Sequence, residues 1–232
     1  MAEKHLTFFE HLEELRTRLV VAIIAVLVTA SVAYFFSFEI LELLKRPAGP
    51  ITLNYLNVLE PFMARFKVSV FAGVIVSSPI IFYEILAFLS PALRKKEKKY
   101  LYPAVAMIVL FFALGVLVGY LYIVPMSITW LMSQAGTAMN PLLSVNEYIK
   151  VITLFLLAFG VGFETPVVVL VLVKLRIVPY ETLVKNWRVA FIVILVVAAI
   201  ATPDWSLPPM LILGGSMLVL FGLTLLVARF MK

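Results

Sequence analysis

Residues 104–124 read AVAMIVLFFALGVLVGYLYIV and contain no charged side chain. As an α-helix, which rises about 1.5 Å per residue, this stretch is about 30 Å long. That length matches the hydrocarbon core of a bilayer. The stretch therefore predicts a transmembrane helix.

Five further apolar runs flank this stretch, at about residues 19–36, 68–89, 151–173, 189–201 and 210–227. Together the six runs predict an all-α membrane protein with six transmembrane helices, in a single polytopic domain over residues 1–232. The run at 189–201 has 13 residues, about 20 Å as a helix, which is too short for a bilayer of normal thickness. We expect a concave bundle in which short fifth and sixth helices form a shallow hairpin.

The composition also indicates that lipid is the solvent for much of the chain. Of the residues, 63% are apolar and 14% are charged, and the mean hydropathy is +1.09. A soluble fold of this length has too little interior to hide so much apolar surface. There is no cysteine, which excludes disulfides and thiol chemistry. The first 18 residues hold four glutamates and no apolar core, so we expect no cleavable signal peptide.

The distribution of lysine and arginine predicts the orientation. The N-terminus, the second and fourth connections and the C-terminus hold 14 of the 19 basic residues, and the opposite face holds 5. Because cytoplasmic loops carry the excess of positive charge, both termini are predicted to be cytoplasmic. This topology explains the net charge of +6 without a nucleic-acid partner. The two long outer loops, residues 37–65 and 133–150, are predicted to fold into a cap.

An acidic surface is predicted at the cytoplasmic face. Glu10, Glu13 and Glu14 are spaced to share one side of a helix. One interpretation is local ion pairing, as between Glu14 and Arg18, which is common and contributes little. The other is a binding site shared with Glu97, the one acid among five bases in the second cytoplasmic loop. Two such carboxylates suit a ligand with two guanidinium groups, since each pair can form a bidentate bond.

Glu164 lies inside the fourth run, nine residues from its cytoplasmic end, which is about 14 Å along a helix. An ionisable group at that depth indicates a functional site, or a structural hydrogen bond to a neighbouring helix. Pro166 should bend the helix beside it. A proton- or ion-coupled small-molecule transporter that uses Glu164 is one open interpretation of the chain.

Two other acidic residues are candidate site residues. Glu84 lies inside the second run, about one turn from the predicted cytoplasmic end. Asp204, the only aspartate, follows the fifth run and has the position of a turn or helix cap.

Catalytic chemistry finds no support in the sequence. The only histidines, His5 and His11, lie outside the apolar runs. Neither a serine–histidine pair nor an intramembrane aspartate pair can be assembled, and no cluster has metal-ligand spacing. We expect no enzyme activity, no cofactor and no metal site.

Four motifs stand out along the chain: His11-Leu12-Glu13-Glu14-Leu15-Arg16, Phe88-Leu89-Ser90-Pro91-Ala92-Leu93 with Glu97, Phe159-Gly160-Val161-Gly162-Phe163-Glu164-Thr165-Pro166, and Thr202-Pro203-Asp204. Together they resemble the TatC family, the multi-spanning subunit of the twin-arginine protein translocase. The resemblance covers essentially the whole chain, with the motifs in the family's order.

The resemblance implies a receptor for the twin-arginine signal peptides of folded precursors, in the cytoplasmic (inner) membrane. It also implies TatA- and TatB-type single-span partners, oligomers within the complex, and transport driven by the proton-motive force. The signal-peptide site would be formed by Glu14, Glu97, Arg16 and Phe88, with Glu164 as the polar residue inside the membrane. Pro47 and Asp204 would serve assembly or transport, and we add Glu84 to that group because of its position.

Overall fold

The protein is almost entirely helical in the parts that the computed structural model describes, which are residues 8–49, 51–89, 101–134, 142–174, 178–202 and 207–230. The helices are α1 (Phe8–Phe35), α2 (Ser37–Lys45), α3 (Glu60–Leu89), α4 (Leu101–Val118), α5 (Val124–Ser133), α6 (Val145–Gly162), α7 (Thr165–Lys174), α8 (Tyr180–Lys185), α9 (Trp187–Ala201) and α10 (Leu207–Arg229). A 3-10 turn (Arg46–Ala48), a π turn (Gly119–Ile123) and two short strands, β1 (Leu53–Asn54) and β2 (Leu143–Ser144), complete the described elements.

Within the described ranges, five helical segments are long and apolar enough to cross a bilayer: Phe9–Phe35, Glu60–Phe88, Tyr102–Ser133, Val145–Lys174 and Pro209–Arg229. They contain the first, second, third, fourth and sixth predicted runs. The fifth run forms α9, a shorter apolar helix of 15 residues. At about 22 Å, α9 falls short of the roughly 30 Å of hydrocarbon. The prediction of a short fifth helix is confirmed, and the other five predicted spans reach full length among the described residues.

The prediction of a short sixth helix is wrong. The helix α10 has 23 residues, about 34 Å in length. It begins before Pro208 and Pro209, which lie in its first turn, where a missing backbone N–H costs no helical hydrogen bond. It continues to Arg229, whose positive charge is favourable at a helix C-terminus. The apolar run is shorter than the helix because hydropathy falls at these residues while the helical hydrogen bonds continue.

Two of the spans contain an interruption. The third span passes from α4 through the π turn into α5, where Pro125 lies in the first turn and supplies no N–H to the preceding turn. The fourth span breaks between α6 and α7. There the Thr165 hydroxyl donates a hydrogen bond to the carbonyl of Gly162 at 2.6 Å. The predicted distortion near Pro166 is therefore a turn at residues 163–164.

The two long loops meet on the face opposite the N-terminus. The strands β1 and β2 pair in parallel, with Leu53 opposite Leu143 and Asn54 opposite Ser144. At the start of α3, Glu60 accepts hydrogen bonds from the Ser144 hydroxyl at 3.1 Å and from the backbone N–H of residue 56 at 3.0 Å. The described parts of the loops are thus tied together, as the predicted cap requires.

The fourth span is the central element of the bundle. Its side chains enter both buried clusters: Phe155 and Ile152 pack with the cap-side helices, and Phe159 packs with α9 and α10. Of its most apolar part 44% is buried, against 11% for α1. The other spans therefore leave much more apolar surface facing outward, where lipid is the solvent.

The crossing of α4 and α6 depends on two glycines. A Cβ placed on Gly115 would lie 2.8 Å from the Cβ of Phe163 and 3.0 Å from the Cα of Gly160. Transmembrane helices associate through such close packing, because lipid provides no hydrophobic force between them. A methyl group at Gly115 cannot enter unless the two helices move apart.

We expect Gly115→Ala to lower the free energy of unfolding by about 1–3 kcal/mol, the usual cost of overpacking. The measurement is the thermal unfolding midpoint of the purified protein in detergent. The matched control is Gly222→Ala in α10, where a Cβ would meet no atom within 4 Å. That variant should be neutral, or gain up to about 1 kcal/mol from helix propensity. Equal midpoints for the two variants would contradict the close crossing.

Candidate functional site

Packing of α1 against α3 forms the first candidate site, at the end of the bundle that carries the N-terminus. These two helices contact each other more extensively than any other described pair. The Thr29 hydroxyl donates to the carbonyl of Gly73 at 2.9 Å, and Gly73 lets the backbone of Ala30 approach closely. This alignment brings the first turns of α1 beside the last turns of α3.

An arginine bound by two glutamates lies at this end, and we call Glu14, Arg18 and Glu84 the acid–arginine cluster. Arg18 donates from Nε and Nη2 to Oε1 of Glu14, at 3.0 and 2.7 Å. It donates from Nη1 to Oε2 of Glu84 at 3.0 Å. The three side chains are 23%, 26% and 15% exposed in chain order. Because they are partly withdrawn from water, their interactions are screened less than those of a surface pair.

An aromatic pair borders the cluster. The rings of His11 and Phe88 stack with their centroids 4.3 Å apart and their planes 14° from parallel. Nδ1 of His11 lies 3.9 Å from Oε2 of Glu14. Phe88 thus stacks on a histidine that lies beside the carboxylate that binds Arg18.

The other predicted site residues divide into two groups. Arg16 is exposed on α1, two residues from Glu14 and hence on a different side of the helix. Pro47 lies in the 3-10 turn after α2, on the cap side of the bundle. Glu97 and Asp204 lie outside the described residues. Their roles stay predictions.

The structure confirms the local ion pair between Glu14 and Arg18, and it adds Glu84, which sequence reasoning did not connect to them. The available signal was a glutamate inside one apolar run, about one turn from its end, and an arginine immediately before another apolar run. A charged residue near the end of a span needs a partner. The sequence alone does not say which two spans are neighbours, so it did not identify that partner.

Glu164 forms the second candidate site, in the turn between α6 and α7. It is 7% exposed, and neither carboxyl oxygen has a hydrogen-bond partner. The backbone of Phe112 on α4 comes close to the carboxyl group but outside hydrogen-bond geometry. The interpretation of Glu164 as a link to a neighbouring helix therefore rests on Phe112 of α4 alone among the described residues, and that contact does not meet the geometry of a hydrogen bond. Nor do those residues contain a group of three or more acidic or histidine side chains that could hold a metal ion.

We expect Glu164→Met to raise the unfolding midpoint. A buried polar group without a partner costs about 1–3 kcal/mol, and methionine has a similar shape without that cost. The matched control is Glu60→Met. Glu60 is also buried, at 9% exposed, but it accepts from the N–H of residue 56, the Asn57 amide and the Ser144 hydroxyl. Its replacement should lower the midpoint, and a fall in both variants would contradict the unsatisfied state of Glu164.

The chain is similar to known protein translocase components. A family model described as Sec-independent protein translocase protein (TatC) matches residues 10–215. The TatC protein of Carboxydothermus hydrogenoformans is 32% identical over 234 residues, which cover 100% of this chain and 96% of the relative. The TatC protein of Aquifex aeolicus is 34% identical over 203 residues, covering 85% of each chain.

Solved structures give the same result. Two crystal structures of the twin-arginine translocase receptor TatC match with TM-scores of 0.81 and 0.82, at 30% and 31% identity. They cover 95% and 94% of this chain, and 98% and 99% of the matched chains.

These relatives do not favour a small-molecule transporter, because each is a component of a protein translocase. The matched range includes the acid–arginine cluster and Glu164. The resemblance seen in the four motifs is thereby confirmed. This chain belongs to the TatC family of Sec-independent protein translocase proteins and is a membrane component of the Tat translocase.

Proposed function

We propose that this chain is the receptor for twin-arginine signal peptides and the core scaffold of a translocase that exports folded proteins. Transport would cross the cytoplasmic membrane and be driven by the proton-motive force. The observation that carries the proposal is the acid–arginine cluster, in which Glu14 already binds a guanidinium group through two N–H donors. The crystal structures matched above are of a twin-arginine translocase receptor, which supports the same role here.

The chemistry of the cluster suits arginine better than lysine. A guanidinium presents planar, forked donors, whereas an ammonium is a compact and strongly hydrated point charge. Arg18 uses this fork on Glu14 and its remaining nitrogen on Glu84. A ligand arginine can make the same contacts with Glu14, and a second arginine needs a second carboxylate.

Glu97 is the proposed second carboxylate. It belongs to the connection between α3, which carries Glu84 and Phe88, and α4. In this proposal Phe88 supplies an apolar wall beside the first arginine, and Arg16 shapes the exposed edge of the site. The excess of basic residues at the same end supports a cytoplasmic location for this face and for both termini.

The scaffold role follows from the width of a folded cargo compared with the width of this helix bundle. The interior of this bundle is filled by two packed clusters around the fourth span, and a folded cargo is far wider than one such bundle. Transport therefore requires further subunits, which we propose are TatA- and TatB-type single-span proteins and further copies of this chain. Glu164 would offer a polar point inside the membrane, and Pro47 and Asp204 would serve assembly or transport.

We expect Glu14→Gln and Glu97→Gln each to weaken binding of a twin-arginine signal peptide by about tenfold or more, since each removes a charge-assisted contact of about 1.5–3 kcal/mol. Binding is measured with a labelled peptide and the purified protein in detergent or nanodiscs. A twin-lysine peptide should bind more weakly, and affinity should fall with salt.

The matched control is Glu147→Gln on the cap side, where the carboxylate is 63% exposed and pairs with Lys150 at 3.5 Å. This variant should bind the peptide like the unmodified chain. Unchanged affinity in both Glu14→Gln and Glu97→Gln would overturn the proposed receptor role.

The short helix α9 supports a second part of the proposal. At about 22 Å it should thin the bilayer locally, next to α10, which is about 34 Å long. Ile194 and Ala198 of α9 share a buried cluster with Phe159 and Val169, which flank the turn that holds Glu164. The thinned region would thus adjoin the polar residue inside the membrane and lower the barrier for a passing polypeptide.

Insertion of seven leucines in the middle of α9 should impair transport. Seven residues add about two helical turns, so the helix reaches about 33 Å while its faces keep their direction. Export of a twin-arginine reporter protein in cells is the measurement. The control is Val193→Leu with Val197→Leu, two exposed positions of α9, which adds apolar bulk without length. Normal export by the lengthened variant would contradict the role of thinning.

A further inference from the structure

We propose that Arg18 is a built-in competitor for the first ligand arginine, and that Glu84 determines specificity by holding Arg18 when the ligand takes its place on Glu14. The inference rests on the proposed receptor function. It assigns a role to two side chains that the signal-peptide site described above does not use.

The geometry divides the guanidinium of Arg18 between two carboxylates. Nε and Nη2 contact Glu14, whereas Nη1 contacts Glu84. Because the two contacts use different nitrogens, Arg18 can give up Glu14 and keep Glu84. The two glutamates also come from different helices, α1 and α3, so a ligand can reach one without displacing the other.

The charge balance favours such an exchange. The cluster holds two carboxylates and one guanidinium, and it therefore has one negative charge in excess. Entry of a ligand guanidinium would bring it to neutrality, with Arg18 on Glu84 and the ligand on Glu14. Without Glu84, the same step would leave Arg18 as a partly buried cation without a partner, which is costly.

Competition also explains a preference for arginine. A ligand must replace the two N–H donors that Arg18 places on Oε1 of Glu14, at 3.0 and 2.7 Å. A second guanidinium can reproduce this fork, whereas an ammonium cannot. A lysine ligand therefore does not displace Arg18 from Glu14, whereas an arginine ligand does. Removal of Arg18 should reduce the difference in affinity between arginine and lysine ligands.

A purely structural role is the competing explanation, in which the cluster only clamps α1 to α3. The two helices are already joined deeper in the bundle, where Thr29 bonds to the carbonyl of Gly73 and the backbones approach closely. A clamp would change the unfolding midpoint. It would not change the ratio of affinities for arginine and lysine peptides.

The test is a double-mutant cycle on full-length protein, with affinities for a twin-arginine peptide and its twin-lysine version. We expect Glu84→Gln to weaken twin-arginine binding by about tenfold, because Arg18 then pairs only with Glu14. Arg18→Gln should strengthen binding by about tenfold and reduce the arginine-to-lysine affinity ratio. The double variant should bind like Arg18→Gln, since Glu84 acts only through Arg18.

If Arg18→Gln destabilises the protein because Glu84 then has no partner, the double variant still tests whether Arg18 competes with the ligand. It contains no unpaired carboxylate in the Glu84 position, and it should bind the twin-arginine peptide more tightly than the unmodified chain. If the double variant binds the twin-arginine peptide more weakly than the unmodified chain, the inference is overturned, because that result would mean that Glu84 attracts the ligand directly.

Two further outcomes separate this inference from the proposed function. If Glu14→Gln weakens binding but the Glu84 and Arg18 variants change only the unfolding midpoint, the competition is overturned and the receptor stands. If the unmodified chain binds neither peptide, the receptor function is overturned, and the competition with it.

Discussion

The hydrocarbon of the bilayer offers no hydrogen bonds, and this constraint shapes every part of the structure. Each backbone N–H and C=O within it must find a partner inside the protein, which leaves the helix as the solution for a chain of this pattern. The constraint explains why long helices account for nearly all of the apolar sequence. It also explains why the irregular backbone, at the π turn and at residues 163–164, interrupts spans that pack against other helices.

Under the same constraint, a buried polar side chain needs a hydrogen-bond partner, and the buried glutamates of this chain differ in whether they have one. Glu60 and Glu164 are both buried, but Glu60 is satisfied by three donors whereas Glu164 has no hydrogen-bond partner. An unsatisfied carboxyl group lowers stability, which makes Glu164 a candidate for a functional role. The acid–arginine cluster lies between these extremes, because its charges are paired but only partly withdrawn from water. Charges in that state can exchange partners at moderate cost.

The lengths of the helices relative to the thickness of the bilayer are a second feature that the sequence sets. The helices α9 and α10 are neighbours with 15 and 23 residues, a difference of about 12 Å in length, which a bilayer can accommodate by thinning locally. The fourth span, the most buried of the five, packs against both of them and carries Glu164. Glu164 and the short helix α9 therefore belong to one region of the bundle.

The membrane class, the positions of the apolar helices, the short α9 and the family were predictable from the amino-acid sequence, because apolar length and local motifs are properties of contiguous residues. The sequence also predicted the pair of Glu14 and Arg18, which are one helical turn apart. Three features came from the three-dimensional fold: Glu84 completes this cluster, the loops pair through β1 and β2, and α10 extends past its apolar run. The first two depend on which helices are neighbours, and the third on backbone hydrogen bonds that hydropathy does not measure.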